Sequence, residues 1–168
     1  MKTMKIIGPL LFVTFLVALD QWSKGFATNN LMGRADMVMI PNLLSLTYHR
    51  NWGAAFGFFQ GGRWFFLVFA VIIMIVIAVY YVKLPVGRVY SFVRLALLLI
   101  AAGGIGNSID RLMSGYVVDF LRFDFINFPI FNVADIYVVT GTILLGMLTI
   151  FFIKDDEQQK QYEEEEQE

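Results

Sequence analysis

The chain has 168 residues, 58% of them hydrophobic and only 16% charged, with a formal net charge of −1 and no cysteine. A water-soluble domain carries roughly 25% charged residues, so much of this surface faces something other than water. Disulfides, thiolate metal sites and a cysteine nucleophile are excluded, and no basic stripe interleaved with aromatics points to nucleic acid.

A helix crosses a bilayer with about 20 mostly apolar residues. Four segments approach that length, at about 6–24, 64–82, 89–111 and 133–153. The first follows Lys2 and Lys5 and reads IIGPLLFVTFLVAL, like a signal peptide. No small-x-small cleavage site follows it, and DQWSK comes instead, so it reads as a retained anchor. Pro9 falls in the first turns, where a helix tolerates it. Asp20 and Lys24 are spaced i, i+4 with the acid first, the better order on a helix. They read as a structural ion pair at the outer end of span one.

Residues 27–62 are long for a loop and hold two strand-like runs, MVMI and LLSLTY, separated by Pro41 and Asn42. They predict a small sheet on the outer membrane surface. His49, the single histidine, reads as a hydrogen-bonded or solvated side chain rather than a ligand. The second span, WFFLVFAVIIMIVIAVYYV, has no charge, and KLPVGR after it is a tight inner turn. The third span ends in GGIGNSIDR. There Gly103, Asn107, Asp110 and Arg111 stand at i, i+4, i+7 and i+8, one helical stripe. Gly103, Gly104 and Gly106 let another helix approach closely. A guanidinium such as Arg111 near lipid is costly unless paired or wet, and so marks a partner or substrate. Residues 112–132 are rich in phenylalanine and suit the interface. Trp22, Trp52 and Trp64 fall at span ends, as an aromatic belt does.

The fourth span opens with Asn132 and Asp135 at i, i+3. An acid in the first turn suits the helix dipole, yet FPIFNVADIYVV offers it little water. The tail, residues 155–168, is an acidic run that reads as a solvated, disordered end. An even number of spans puts both termini on one side. The Lys/Arg balance is close to a tie, and the lysines near both termini favour the inside.

Asp119 competes with Asp124 as a perturbed acid. In an extended YVVDFLRFDFIN, Arg122 and Asp124 share one face, while Asp119 shares parity with Leu121, Phe123 and Phe125. Asp119 is thereby turned toward apolar surroundings, which raises a carboxyl pKa. Asp119 and Asp135 are then both expected near the outer ends of spans three and four. If they meet, like charges in a dry site cannot both ionise cheaply, so one holds a proton. Such a pair activates water with one member and protonates with the other, the chemistry of an aspartic peptidase. Serine hydrolysis fares worse, since Ser108 has no Lys or His in helical reach. No cluster matches a zinc or iron site, and GGIGN lacks the GxGxxG spacing. Two other classes stay open: a small transporter or proton-relay subunit using buried acids, and a non-catalytic membrane scaffold.

DQWSK at 20–24, NWGAAFG at 51–57, GGIGNSIDR at 103–111, GYVVDF at 115–120 and FNVAD at 131–135 together resemble the bacterial lipoprotein signal peptidases, or signal peptidase II. The match runs from about residue 10 to 153, in order and at fitting separations. The resemblance implies a mainly α, polytopic protein of the bacterial cytoplasmic membrane. It has four transmembrane helices, a small extracytoplasmic β-sheet between spans one and two, and both termini cytoplasmic. One peptidase domain would cover residues 1–154, with its site near the extracytoplasmic face. The implied activity is an aspartic endopeptidase that removes signal peptides from diacylglyceryl-modified prolipoproteins, cleaving before the lipidated cysteine. Asp119 and Asp135 carry over as the catalytic dyad. Asn51, Asn107, Arg111 and Asn132 carry over as groups that bind substrate or steady the dyad. Asp20, Lys24, Gly53, Ala54, Ala55, Gly103 and Ala134 carry over as structural positions. No metal or organic cofactor is implied. The implied partners are the lipid-modified preprotein, membrane phospholipid and globomycin-type inhibitors, with the chain acting as a monomer. Ile136 departs from the family, where serine is frequent, without removing a catalytic group.

Overall fold

The computed structural model describes residues 4–53 and 61–153. Ala54, Ala55 and the acidic tail lie outside the described residues. The chain forms helix α1 (Met4–Leu31), strands β1 (Met37–Ile40) and β2 (Leu44–Asn51), helices α2 (Arg63–Lys83) and α3 (Arg88–Met113), strand β3 (Val117–Phe123) and helix α4 (Val133–Leu148). One π-helical turn, Thr149–Ile153, continues α4.

All four helices are long and apolar enough to cross a membrane. The third packs against each of the other three. Val93, Leu97 and Ala101 of α3 close on Ile77 of α2 and Leu148 of α4 to make one apolar cluster. Helix α2 buries only Leu67 and Ile77 and exposes Phe65, Phe69, Ile72, Ile75 and Val79. A helix apolar on every side and yet largely exposed fits lipid as its solvent. The α3–α4 approach depends on Gly103. A Cβ there would overlap the carbonyl oxygen of Ala134 and the Val138 side chain. At the other end of the bundle, Arg94 closes the tight α2–α3 turn by donating to the carbonyls of Leu84 at 2.7 Å and Pro85 at 3.1 Å.

The sheet is antiparallel, in the order β1-β2-β3. Asn42, between β1 and β2, takes φ 58°, a left-handed turn conformation that asparagine tolerates. Strand β3 comes from the phenylalanine-rich segment after α3, which local pattern places along the interface. It pairs with β2 in the register Ser45–Arg122, His49–Asp119 and Asn51–Val117, with an irregularity between Leu46 and His49. The sheet thus draws on two separate connections, not only the one between the first two spans.

Helix α1 also runs farther than its apolar stretch suggests. Residues 27–31 are its final turns rather than the start of the loop. Ala27 and Leu31 are buried against Phe120 of the sheet. Thr28 and Asn30 return their side chains to the helix, donating to the carbonyls of Lys24 and Phe26, each at 2.9 Å. Asp20 and Lys24 therefore lie within the helix, not at its end.

Candidate active site

Asp119 and Asp135 reach the site from different elements. Asp119 is carried by β3, where the pattern of burial turns it inward at 1% exposure. Asp135 stands in the first turn of α4. There it forms a capping box with Asn132: the Asn132 amide oxygen accepts from the Asp135 N–H at 3.0 Å, and the Asp135 carboxylate accepts from the Asn132 N–H at 3.1 Å. The box satisfies two amides that a helix start leaves open.

Asn132 is fully buried. With its oxygen committed to the cap, its Nδ2 donates to Asp119 Oδ1 at 2.6 Å and to Asn107 Oδ1 at 3.2 Å. Asn107 in turn donates from Nδ2 to Asp135 Oδ1 at 2.8 Å. Asn51, at the end of β2, donates to Asp119 Oδ2 at 2.9 Å and receives the Gly53 N–H at 3.0 Å. Each acid thus receives a side-chain amide donor, and two asparagines link one acid to the other. Both acids line a single cavity of about 500 Å³, whose apolar walls include Phe66, Phe128, Ile130 and Val139.

Arg111 borders the same cavity. Its Nη2 donates to the Gly53 carbonyl at 3.0 Å, and its guanidinium lies over the Phe66 ring with the centroid at 4.6 Å. It ties the segment after β2 to α3 and α2 beside the acids. Burial pushes the Asp119 carboxyl up to about 7. The nearby Asp135 charge adds to this, and hydrogen bonds from Asn51 and Asn132 oppose it. Asp124 is held below the usual carboxylate range by the Ser45 hydroxyl and by Arg122, which donate at 2.5 and 2.9 Å. Arg122 also pairs with Asp36 at 2.5 Å.

Asp20 and Lys24 pair at 2.9 Å, and Lys24 also pairs with Asp110 at 3.0 Å. Gln21 joins them, donating to Asp110 at 2.9 Å. Sequence reasoning missed Gln21 and gave Asp110 no role. The only available signal was that Asp110 shares the Asn107 stripe and Gln21 sits between Asp20 and Lys24. Ala134 is fully buried against α3. Gly106 faces the Asp20 carboxylate, where a Cβ would come within 2.5 Å of Oδ2. Ser108 spends its hydroxyl on the Gly104 carbonyl at 2.6 Å, and His49 is exposed on β2.

Four helices of membrane-spanning length, a small sheet at one end and an acid-lined cleft beneath it define a polytopic membrane protein with a hydrolase-like site. The family model for Signal peptidase (SPase) II matches residues 12–152. A lipoprotein signal peptidase of Streptococcus agalactiae is 43% identical over 141 residues, covering 84% of this chain and 90% of the relative. One from Clostridioides difficile is 41% identical over 143 residues, covering 85% and 95%. A solved bacterial membrane enzyme superposes with a TM-score of 0.77 at 33% identity, covering 88% of this chain and 95% of its own. The chain belongs to the signal peptidase II family, the lipoprotein signal peptidases, and is an aspartic protease of a bacterial membrane.

Proposed function

We propose that this enzyme removes signal peptides from diacylglyceryl-modified prolipoproteins, cleaving before the lipidated cysteine, with Asp119 and Asp135 as its catalytic dyad. The observation that carries the reading is the convergence of the two carboxyls on one apolar cleft, joined through Asn132 and Asn107. The pair shares one proton. The ionised member takes a proton from water as the water oxygen attacks the scissile carbonyl carbon. The protonated member gives its proton to the carbonyl oxygen. The C–N bond of the tetrahedral species then breaks as the first member passes the proton it took from water to the amine nitrogen, and the second member takes back the hydroxyl proton as the carbonyl re-forms. Asn51, Asn107 and Asn132 hold the carboxyls in place, and Arg111 fixes the backbone at Gly53 at the edge of the cleft.

The substrate is anchored in lipid, so its scissile bond arrives at the membrane surface. The acids sit at the sheet end of the bundle, opposite the α2–α3 turn with Lys83, Arg88 and Arg94. The Lys/Arg balance between the two ends is close to a tie, and the lysines near both termini support cytoplasmic termini and with them a site near the extracytoplasmic face. In this reading the chain acts as a monomer. Phospholipid surrounds the exposed apolar helices, and globomycin-type cyclic peptides would occupy the cleft in place of substrate. A transporter needs acids along a path across the bilayer, whereas the buried acids Asp20, Asp110 and Asp119 and the half-buried Asp135 cluster at one end.

The test is turnover of a diacylglyceryl-modified preprotein by purified enzyme. Asp119→Asn and Asp135→Asn each abolish cleavage, and Asp124→Asn retains most of it. Full turnover by either dyad variant contradicts the proposal.

A further inference from the structure

Lys24 does more than close an ion pair with its i+4 neighbour. Its side chain is 4% exposed, and its three ammonium protons meet three oxygens on two helices. These are Asp20 Oδ2 at 2.9 Å, Asp110 Oδ2 at 3.0 Å and Asn107 Oδ1 at 3.0 Å. Each carboxylate then reaches onward to the main chain. Asp20 Oδ1 accepts the Ala134 N–H at 2.9 Å, and Asp110 Oδ2 accepts the Val118 N–H at 3.1 Å. Ala134 immediately precedes Asp135, and Val118 immediately precedes Asp119. Gln21 Nε2 bridges the two clamps, donating to Asp20 at 3.2 Å and to Asp110 at 2.9 Å. The third contact acts on a side chain. With Asn107 Oδ1 facing Lys24, its Nδ2 is turned onto Asp135.

We propose that Lys24 is a positioning residue for peptide hydrolysis: through Asp20, Asp110 and Asn107 it sets the separation and orientation of Asp119 and Asp135. This rests on the dyad reading above. An ordinary helical ion pair between Asp20 and Lys24 requires none of the contacts to Asp110, Asn107, Val118 and Ala134. A neutral side chain at position 24 leaves two buried carboxylates facing each other without their cation, and repulsion drives apart the strand and the helix they hold.

Misplacing reacting groups by about 1 Å costs about 100-fold in rate, so Lys24→Met lowers kcat by about that factor. KM stays near the wild-type value, because Lys24 does not line the cleft. A pH profile supplies a readout that a merely structural role would not move. Asp119 is faced by Lys24 from α1, Arg111 from α3, Asp135 from α4 and its register partner His49 on β2, while Asp110 of α3 holds the neighbouring Val118 N–H. The Lys24 charge favours ionised Asp119, so its loss shifts the alkaline limb of kcat/KM to higher pH.

The experiment uses the full chain in phospholipid-containing micelles with diacylglyceryl-modified preprotein. Folding of each variant is checked by its melting curve. A folded Lys24→Met enzyme with wild-type kcat, or with a change confined to KM, overturns the proposal. So does an alkaline limb that stays in place. If Lys24→Met does not fold, Asp110 decides. Asp110→Asn keeps an acceptor for the Val118 N–H and holds kcat within about tenfold, whereas Asp110→Ala loses about 100-fold. Equal kcat in those two variants overturns the proposal. Turnover by Asp119→Asn or Asp135→Asn in the same assay overturns the dyad reading instead.

Discussion

Asn132 serves three partners with one buried amide. Its oxygen caps α4, while its nitrogen reaches Asp119 and Asn107. Asn132→Ala therefore removes a helix cap, a loss of about 0.5–2 kcal/mol, and also frees Asp119 from a donor. The melting temperature falls and kcat falls with it; an active variant with only a lower melting temperature would reduce Asn132 to its capping role. Asp119 adds a pH dependence of stability. Its folded pKa of about 7 lies above the ordinary 3.8, so between those values the folded state binds the extra proton. Stability from this group is full below 3.8 and is lost as pH rises through about 7. Melting curves from pH 4 to 8 in micelles show this decline, and Asp119→Asn flattens it. An unchanged slope in that variant would assign the decline to other groups.

Elements meet where small residues permit it. At Gly106 of α3 a side chain would enter the space of the Asp20 carboxylate. Gly106→Val overpacks this contact and destabilises by about 1–3 kcal/mol, with loss of activity as Asp20 is displaced from Ala134. Normal melting and activity in this variant would show that the contact yields freely. The glycines of GGIGN are legible in the sequence as helix-packing residues, because their spacing on one helix is local information. Likewise, β1 and β2 are legible from MVMI and LLSLTY, with Asn42 supplying the turn. The third strand is not. Nothing within Val117–Phe123 states that its partner is Leu44–Asn51, and that pairing, with the Val118 N–H held by Asp110, helps give Asp119 its inward face. Asp119 is buried and Asp124 is not, but strand alternation does not account for it: the neighbouring Phe120 is buried too, and Asp124 lies past the end of β3. The end of α1 was hidden for a related reason: Thr28 and Asn30 look like loop residues until their hydrogen bonds to the helix are seen.

At the scale of the whole molecule, the four spans are readable because lipid demands long apolar helices with satisfied backbones. The polar network among them is not, since its bonds join residues such as Asp20 and Ala134, 114 positions apart. The absence of cysteine in the chain makes orientation directly measurable. Asp36→Cys, beside the sheet, reacts with an impermeant thiol reagent in intact spheroplasts. Val86→Cys, 92% exposed in the α2–α3 turn, reacts only after the membrane is opened. The reverse pattern would invert the assigned topology and place the cleft on the cytoplasmic side.

Whether the two carboxyls work as one device is read most directly from single-turnover rates of Asp119→Asn, Asp135→Asn and the double variant on one diacylglyceryl-modified preprotein. Groups that act as a unit give losses that do not multiply. Each single substitution should therefore bring the rate to within about tenfold of the double variant. A single variant that keeps substantial turnover, or losses that multiply to give the double variant's rate, would contradict the shared-proton account.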